Sequence, residues 1–105
     1  MRYVSTRGSA PELGFADVLL AGLATDGGLY VPDRWPTLAP SKAQTYAERA
    51  VEVMLPFVEP DIDEVTLTHL CTEAYGTFRH PAVVPLVQLD HRQWQAVDEH
   101  HEIRP

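Results

Sequence analysis

The sequence predicts a small α/β domain, with an α+β arrangement as the alternative, in which about three helices pack on a short sheet. Apolar residues recur at helical spacing in three segments. Short runs rich in β-branched and aromatic residues precede, separate and follow these segments, and glycines or prolines divide one from the next. The predicted order of elements is β-α-β-α-α-β, followed by one more strand if the chain turns near its end.

The first two strands and the first helix are predicted within residues 2–31. Tyr3 and Val4 favour a strand at residues 2–6. A helix is predicted over residues 14–24 because an apolar stripe recurs along one face. The members of this stripe are Phe15, Val18, Leu19 and Leu23. Glycines at 27 and 28 suit a tight turn, after which residues 29–31 predict a buried strand.

The second helix is predicted to begin at Ser41, because Gln44 three residues later completes a capping-box pattern. Pro56 is expected to end or kink this helix, since proline removes a backbone hydrogen bond. Trp35, in the proline-rich connection before the helix, is expected to pack against the core. The predicted buried face consists of Tyr46, Ala47, Ala50, Val51, Met54 and Leu55.

A third helix is predicted over residues 63–78, and Asp63 and Glu64 favour its start. Residues 83–89 predict a strand, in which Pro85 indicates an edge or irregular position. A last strand is predicted to begin at Trp94. The apolar stripe of the third helix consists of Leu67, Leu70, Cys71, Ala74, Tyr75 and Phe78.

Length and charge narrow the classes of function. A chain of 105 residues supplies one domain, so an active site between two domains needs further protein. The net charge of -7, from 15 acidic and 8 basic residues, argues against nucleic-acid binding. Neither a membrane-spanning run nor a signal peptide is recognisable, so we expect a cytoplasmic protein that does not bind membranes.

Cysteine and histidine give no predicted catalytic or metal site. Cys71 lies on the apolar stripe of the third helix and is expected to be a core thiol, with His69 on the opposite side. Neither H-x-x-x-H nor C-x-x-C occurs, and the adjacent His100 and His101 would point to opposite faces of a strand, so we expect no metal ligands. The five histidines are His69, His80, His91, His100 and His101.

One polar cluster is a candidate binding site. Ser5, Thr6 and Arg7 place two hydroxyl groups and a guanidinium at a strand end, where they could contact a phosphate or carboxylate. The alternative is that these groups satisfy nearby backbone. An independent small enzyme is not supported, because no nucleophile, base and orienting group occur together.

Three segments near the start of the chain resemble the opening of threonine synthases. They are residues 1–8 (MRYVSTRG), 10–24 (APELGFADVLLAGLA) and 26–32 (DGGLYVP), followed by Trp35-Pro36. Ala74-Tyr75 with Phe78, and then VPLVQL at residues 84–89, are similar to the later part of the same domain. Residues 1–94 are therefore identified as a threonine-synthase-like N-terminal domain, and residues 95–105 as a divergent tail.

The resemblance implies a pyridoxal-phosphate-dependent lyase of the tryptophan-synthase-β-like fold type. Such enzymes convert O-phospho-L-homoserine and water to L-threonine and phosphate, with the cofactor held by a lysine in a segment that follows this domain. Ser5, Thr6 and Arg7 would then lie at the edge of the substrate cleft. The partners implied are the catalytic domains of threonine synthase, in the same chain or in another.

The chain by itself is not expected to bind the cofactor or to catalyse the reaction. Its one lysine, Lys42, lies near a predicted helix start and is expected to be an exposed surface residue. A Schiff-base lysine instead needs a desolvated pocket. The alternative function is a free-standing, non-catalytic interaction module that docks to a partner or forms a homodimer.

Overall fold

The computed structural model describes residues 1–96. The elements of this part of the chain, in order, are β1 (Arg2–Ser5), β2 (Leu13–Gly14), α1 (Phe15–Ala21), β3 (Tyr30–Pro32), α2 (Tyr46–Val58), α3 (Glu64–Gly76), β4 (Leu86–Asp90) and β5 (Gln93–Ala96). The predicted small domain of three helices and short strands is confirmed. The last strand, β5, includes Trp94 as expected.

The strands form two sheets rather than one. In the first sheet β1 lies at the centre and pairs antiparallel with β2 and β3. The second sheet is the antiparallel pair of β4 and β5. The sequence did not predict β2, because a strand of two residues carries no alternating pattern. The strand predicted over residues 29–31 is confirmed as the short β3, which begins at Tyr30, but its predicted burial is wrong, since Val31 is 38% exposed.

The first helix is shorter and more exposed than its apolar stripe predicts. Gly22 ends α1 with a φ of 71° and donates its backbone N–H to Val18 O. No residue of α1 is buried, and Leu19 and Leu23 are 69% and 65% exposed. The carboxylate of Asp61, from the connection between α2 and α3, accepts a hydrogen bond from Ala16 N at 2.8 Å. This contact ties the start of α1 to the helical pair.

The second helix begins four residues later than the predicted cap. Thr45, not Ser41, is the N-cap: its hydroxyl accepts from Glu48 N at 3.1 Å, while Glu48 Oε2 accepts from Gln44 N at 2.7 Å. Thr45 is the N-cap because its extended backbone directs the hydroxyl towards the first turn of the helix. The helix continues for two residues beyond Pro56 and ends at Val58.

Two further predictions need correction. Trp35 is 79% exposed, although its ring lies edge-on to Phe57 with centroids 6.3 Å apart, so it does not lie in the core. The strand predicted at residues 83–89 begins at Leu86. Val83 has a φ of 64°, which no strand residue adopts, and Pro85 cannot donate to a ladder. The bounds of α3 agree closely with the prediction, with Asp63 as its N-cap, but Leu70 and Ala74 of its predicted apolar stripe are exposed.

The core lies between α2 and α3. Its buried residues are Val51, Val58, Leu67 and Cys71. The first sheet joins this core through Tyr3, whose ring lies 6.3 Å from that of Phe15 and whose hydroxyl donates to Phe57 O. The domain is therefore a helical pair with a small sheet attached at one end.

Candidate functional site

Asp26 organises the polar cluster at the end of β1. It lies in the turn between α1 and β3, and its carboxylate accepts hydrogen bonds from four groups. Ser5 Oγ lies 2.7 and 2.9 Å from the two carboxylate oxygens. The backbone N–H groups of Ser9, Ala10 and Gly28 donate to it at 2.9, 3.0 and 2.9 Å. We call residues 5–10 and 26–29 the Asp26 corner.

These donors fix the charge of the corner. The hydrogen bond from the Ser5 hydroxyl, followed by the one from Gly28 N, lowers the pKa of Asp26 to about 2. The carboxylate is therefore ionised at neutral pH. Asp26 was not predicted as a site residue, although the pattern Asp-Gly-Gly is a signal for it: the hydrogen bond from Gly28 N to Asp26 Oδ1 is the contact of an Asx turn.

Two glycines allow the two halves of the corner to approach. Gly27 has a φ of 83°, and a Cβ there would lie 2.7 Å from Arg7 Nη1. A Cβ on Gly28 would collide with the Ser5 hydroxyl. A side chain at Gly27 would be strained by the positive φ, and a Cβ at Gly28 would force the Ser5 hydroxyl to shift. The glycines predicted as a simple turn thus also make room for the polar cluster.

The structure brings Ser5, Thr6 and Arg7 together in this corner. The three residues differ in burial and in their hydrogen-bond partners. Ser5 is 6% exposed and its hydroxyl is committed to Asp26. Thr6 Oγ1 accepts from Leu29 N at 3.0 Å. The guanidinium of Arg7 donates to Asp26 O at 3.1 Å and is otherwise exposed. Of the three residues, Thr6 and Arg7 are exposed to solvent, whereas Ser5 is buried.

Lys42 is exposed, as predicted. It precedes α2, and its backbone N–H donates to Glu52 Oε1 at 3.2 Å. Its side chain borders an open surface depression together with Arg49 and Glu52. An exposed lysine in such a place does not fit the desolvated Schiff-base position of pyridoxal phosphate.

Cys71 is a core thiol, as predicted: it is 4% exposed, and burial raises its pKa. His69 is exposed on the other side of α3, with Nε2 3.6 Å from Glu73 Oε2. Within residues 1–96, no three potential metal ligands lie together, and no helix is long and apolar enough to cross a bilayer. His100 and His101 lie outside the described residues.

A second surface feature is apolar. A groove of about 280 Å³ runs between α1 and the helical pair, and we call it the interhelical groove. Among the described residues that line it, none is charged. Its lining includes Phe15, Leu19, Met54, Leu70, Ala74 and Tyr75.

The family model of the threonine synthase N terminus matches residues 2–75. The chain belongs to this family. It is 48% identical to the threonine synthase of Pseudomonas aeruginosa over 99 residues, which are 90% of this chain and 21% of that protein. For the threonine synthase of Schizosaccharomyces pombe the identity is 40%, over 83% of this chain and 18% of the relative.

A solved threonine synthase has the same fold over this region. The crystal structure of the pyridoxal-phosphate-bound threonine synthase from Brucella melitensis matches with a TM-score of 0.81 and 48% identity, over 91% of this chain and 22% of that one. The chain thus spans about a fifth of the length of these relatives. The resemblance identified in the sequence is confirmed.

Proposed function

We propose that this chain acts as the N-terminal domain of a cytoplasmic threonine synthase, which forms L-threonine and phosphate from O-phospho-L-homoserine and water. The observation that carries this proposal is the 48% identity to the Pseudomonas aeruginosa enzyme across 90% of the chain. Pyridoxal phosphate would be held by the catalytic domains, and it would supply the electron sink for the reaction. This domain would help to close the substrate cleft.

The exposed apolar surface supports docking to the catalytic domains. Leu20, at 86% exposure, and the exposed Leu19 and Leu23 show that part of the apolar surface at α1 is left uncovered within the described part of the chain. Exposed apolar patches of this kind are typical of interfaces. The free-standing interaction module is less favoured, because the similarity to complete threonine synthases extends over nearly the whole chain.

The proposal is tested with a chimera in which this chain replaces the aligned segment of the Pseudomonas aeruginosa threonine synthase. We expect the chimera to release phosphate from O-phosphohomoserine at a rate within about tenfold of the parent enzyme. A larger loss of rate would indicate that the domain is misplaced, because small displacements of groups at a substrate cleft lower the rate by more than that. The isolated chain is expected to give no Schiff-base absorption band with pyridoxal phosphate and no phosphate release.

Lys42→Ala serves as the control, because an exposed lysine outside the cofactor pocket should leave the activity of the chimera unchanged. A chimera that folds and retains the cofactor but releases no phosphate would contradict the proposal. A saturable absorption band with the isolated chain, lost in Lys42→Ala, would show that the chain builds a cofactor site of its own.

We further propose that Ser5, Thr6 and Arg7 form the edge of the substrate cleft. Arg7 is the residue whose charge suits an anionic substrate. The Ser5 hydroxyl holds the backbone of Arg7 by accepting a hydrogen bond from Arg7 N at 3.2 Å. Thr6 supplies an exposed hydroxyl beside it. The bound carboxylate of Asp26 keeps this edge in place.

Replacing Arg7 with alanine in the chimera is expected to raise KM for O-phosphohomoserine by about tenfold, as loss of a charge-assisted hydrogen bond would. Steady-state phosphate release measures this. The matched control is Arg34→Ala, which removes an exposed arginine that pairs with Asp33. An unchanged KM in Arg7→Ala, or an equal rise in both variants, would remove Arg7 from the cleft.

A further inference from the structure

We infer that the interhelical groove is the docking face of this domain, and that an apolar segment of the catalytic part of a threonine synthase fills it. The inference rests on the proposed function and adds to it the place of contact. The groove is one of several places where apolar residues are exposed, and the segment that covers it is apolar.

The groove combines exposed apolar side chains from all three helices. Leu19 of α1 is 69% exposed, Met54 of α2 is 38% exposed and Leu70 of α3 is 48% exposed. All three line the same groove. Scattered apolar residues on a surface need no explanation, but three helices that converge on one uncharged groove form a continuous apolar surface.

The length of the relatives indicates the occupant. The corresponding region of the solved Brucella melitensis threonine synthase has the same fold as this domain, with a TM-score of 0.81 over 91% of the chain. It supplies 22% of that protein, so about four-fifths of the polypeptide is left to cover its exposed apolar surface. Because the described lining of the groove is uncharged, the covering segment should be apolar too.

A second copy of this chain is the less suitable occupant. Two chains of net charge -7 repel one another, which disfavours their association. A catalytic domain in the same polypeptide avoids this cost, since its covalent connection gives it a high effective concentration at the groove.

The test compares thiol labelling of Leu70→Cys in the isolated chain and in the chimera with the Pseudomonas aeruginosa enzyme. Val65→Cys is the matched control: Val65 lies on the same helix, is 80% exposed and does not line the groove. We expect labelling of Leu70→Cys to slow by at least about tenfold in the chimera, because docking excludes the reagent. Labelling of Val65→Cys should stay the same.

Leu19→Cys repeats the measurement from α1, so that the test does not depend on one variant folding. Equal labelling rates of both groove cysteines in chain and chimera would overturn the inference. Protection that appears in the isolated chain as its concentration rises would overturn it in favour of a second copy. If the unmodified chimera is active, such results leave the proposed function standing; if that chimera fails to form threonine, the proposed function fails and this inference with it.

Discussion

Replacing Leu67 with alanine is expected to lower the free energy of unfolding of the chain by about 2 to 5 kcal/mol. Leu67 is 3% exposed and lies in the cluster with Val51, Val58 and Cys71, where α2 and α3 meet. Truncation removes apolar contacts and leaves a cavity that the helices fill incompletely. Because a small domain has little stability to spare, this one change should unfold a large share of the molecules.

Urea unfolding followed by far-ultraviolet circular dichroism measures the effect. Leu70→Ala is the matched control, since Leu70 is on the same helix but 48% exposed, and its cost should stay below about 1 kcal/mol. Equal losses in the two variants would mean that the core does not lie where the structure places it.

Replacing Asp26 with asparagine is expected to destabilise the Asp26 corner and to flatten the acid dependence of stability. The carboxylate accepts from four groups, whereas an amide offers one oxygen and turns an NH₂ group towards donors. The folded-state pKa is about 2 against an ordinary 3.8. The unfolded chain therefore takes up this proton first, so the stabilisation is complete above pH 3.8 and disappears as the pH falls towards 2.

Urea midpoints of both proteins between pH 7 and pH 2 measure the effect. Asp33→Asn is the control, because Asp33 is exposed and its carboxylate pairs with the neighbouring Arg34. The N-cap carboxylate of Asp63, whose pKa is lowered by the hydrogen bonds of Thr66, should keep part of the acid dependence in every variant. An unchanged profile in Asp26→Asn would show that Asp26 does not hold the corner.

The long helices could be predicted from the sequence because their signals are local. Asp63 caps α3 as expected, and the spacing of Leu67 and Cys71 correctly places both in the core. The cap of α2 was misplaced by four residues because Ser41 and Thr45 both carry a suitable hydroxyl. Backbone direction decides between them, and spacing alone does not reveal it.

Other features depend on contacts that no periodic pattern records. The apolar stripe of α1 predicts burial, yet Leu19 and Leu23 are exposed in this chain. The periodicity of apolar residues indicates that one face of a helix is to be buried. It does not indicate whether the residues that bury this face belong to the same chain or to another domain. For the candidate site, Ser5, Thr6 and Arg7 could be chosen by side-chain chemistry, whereas the role of Asp26 depends on a contact across 21 positions.

The hydrogen bond from the Tyr3 hydroxyl to Phe57 O spans 54 positions in the chain. During synthesis, β1 can pair with β2 and β3 once residue 32 has emerged, but the acceptor for Tyr3 is made much later. Until then the first sheet lacks its hydrogen bond to α2, and its free energy has to come from its own strand pairs and from the Asp26 corner. The nascent chain therefore depends on the Asp26 corner to hold its first strands together until α2 has been made.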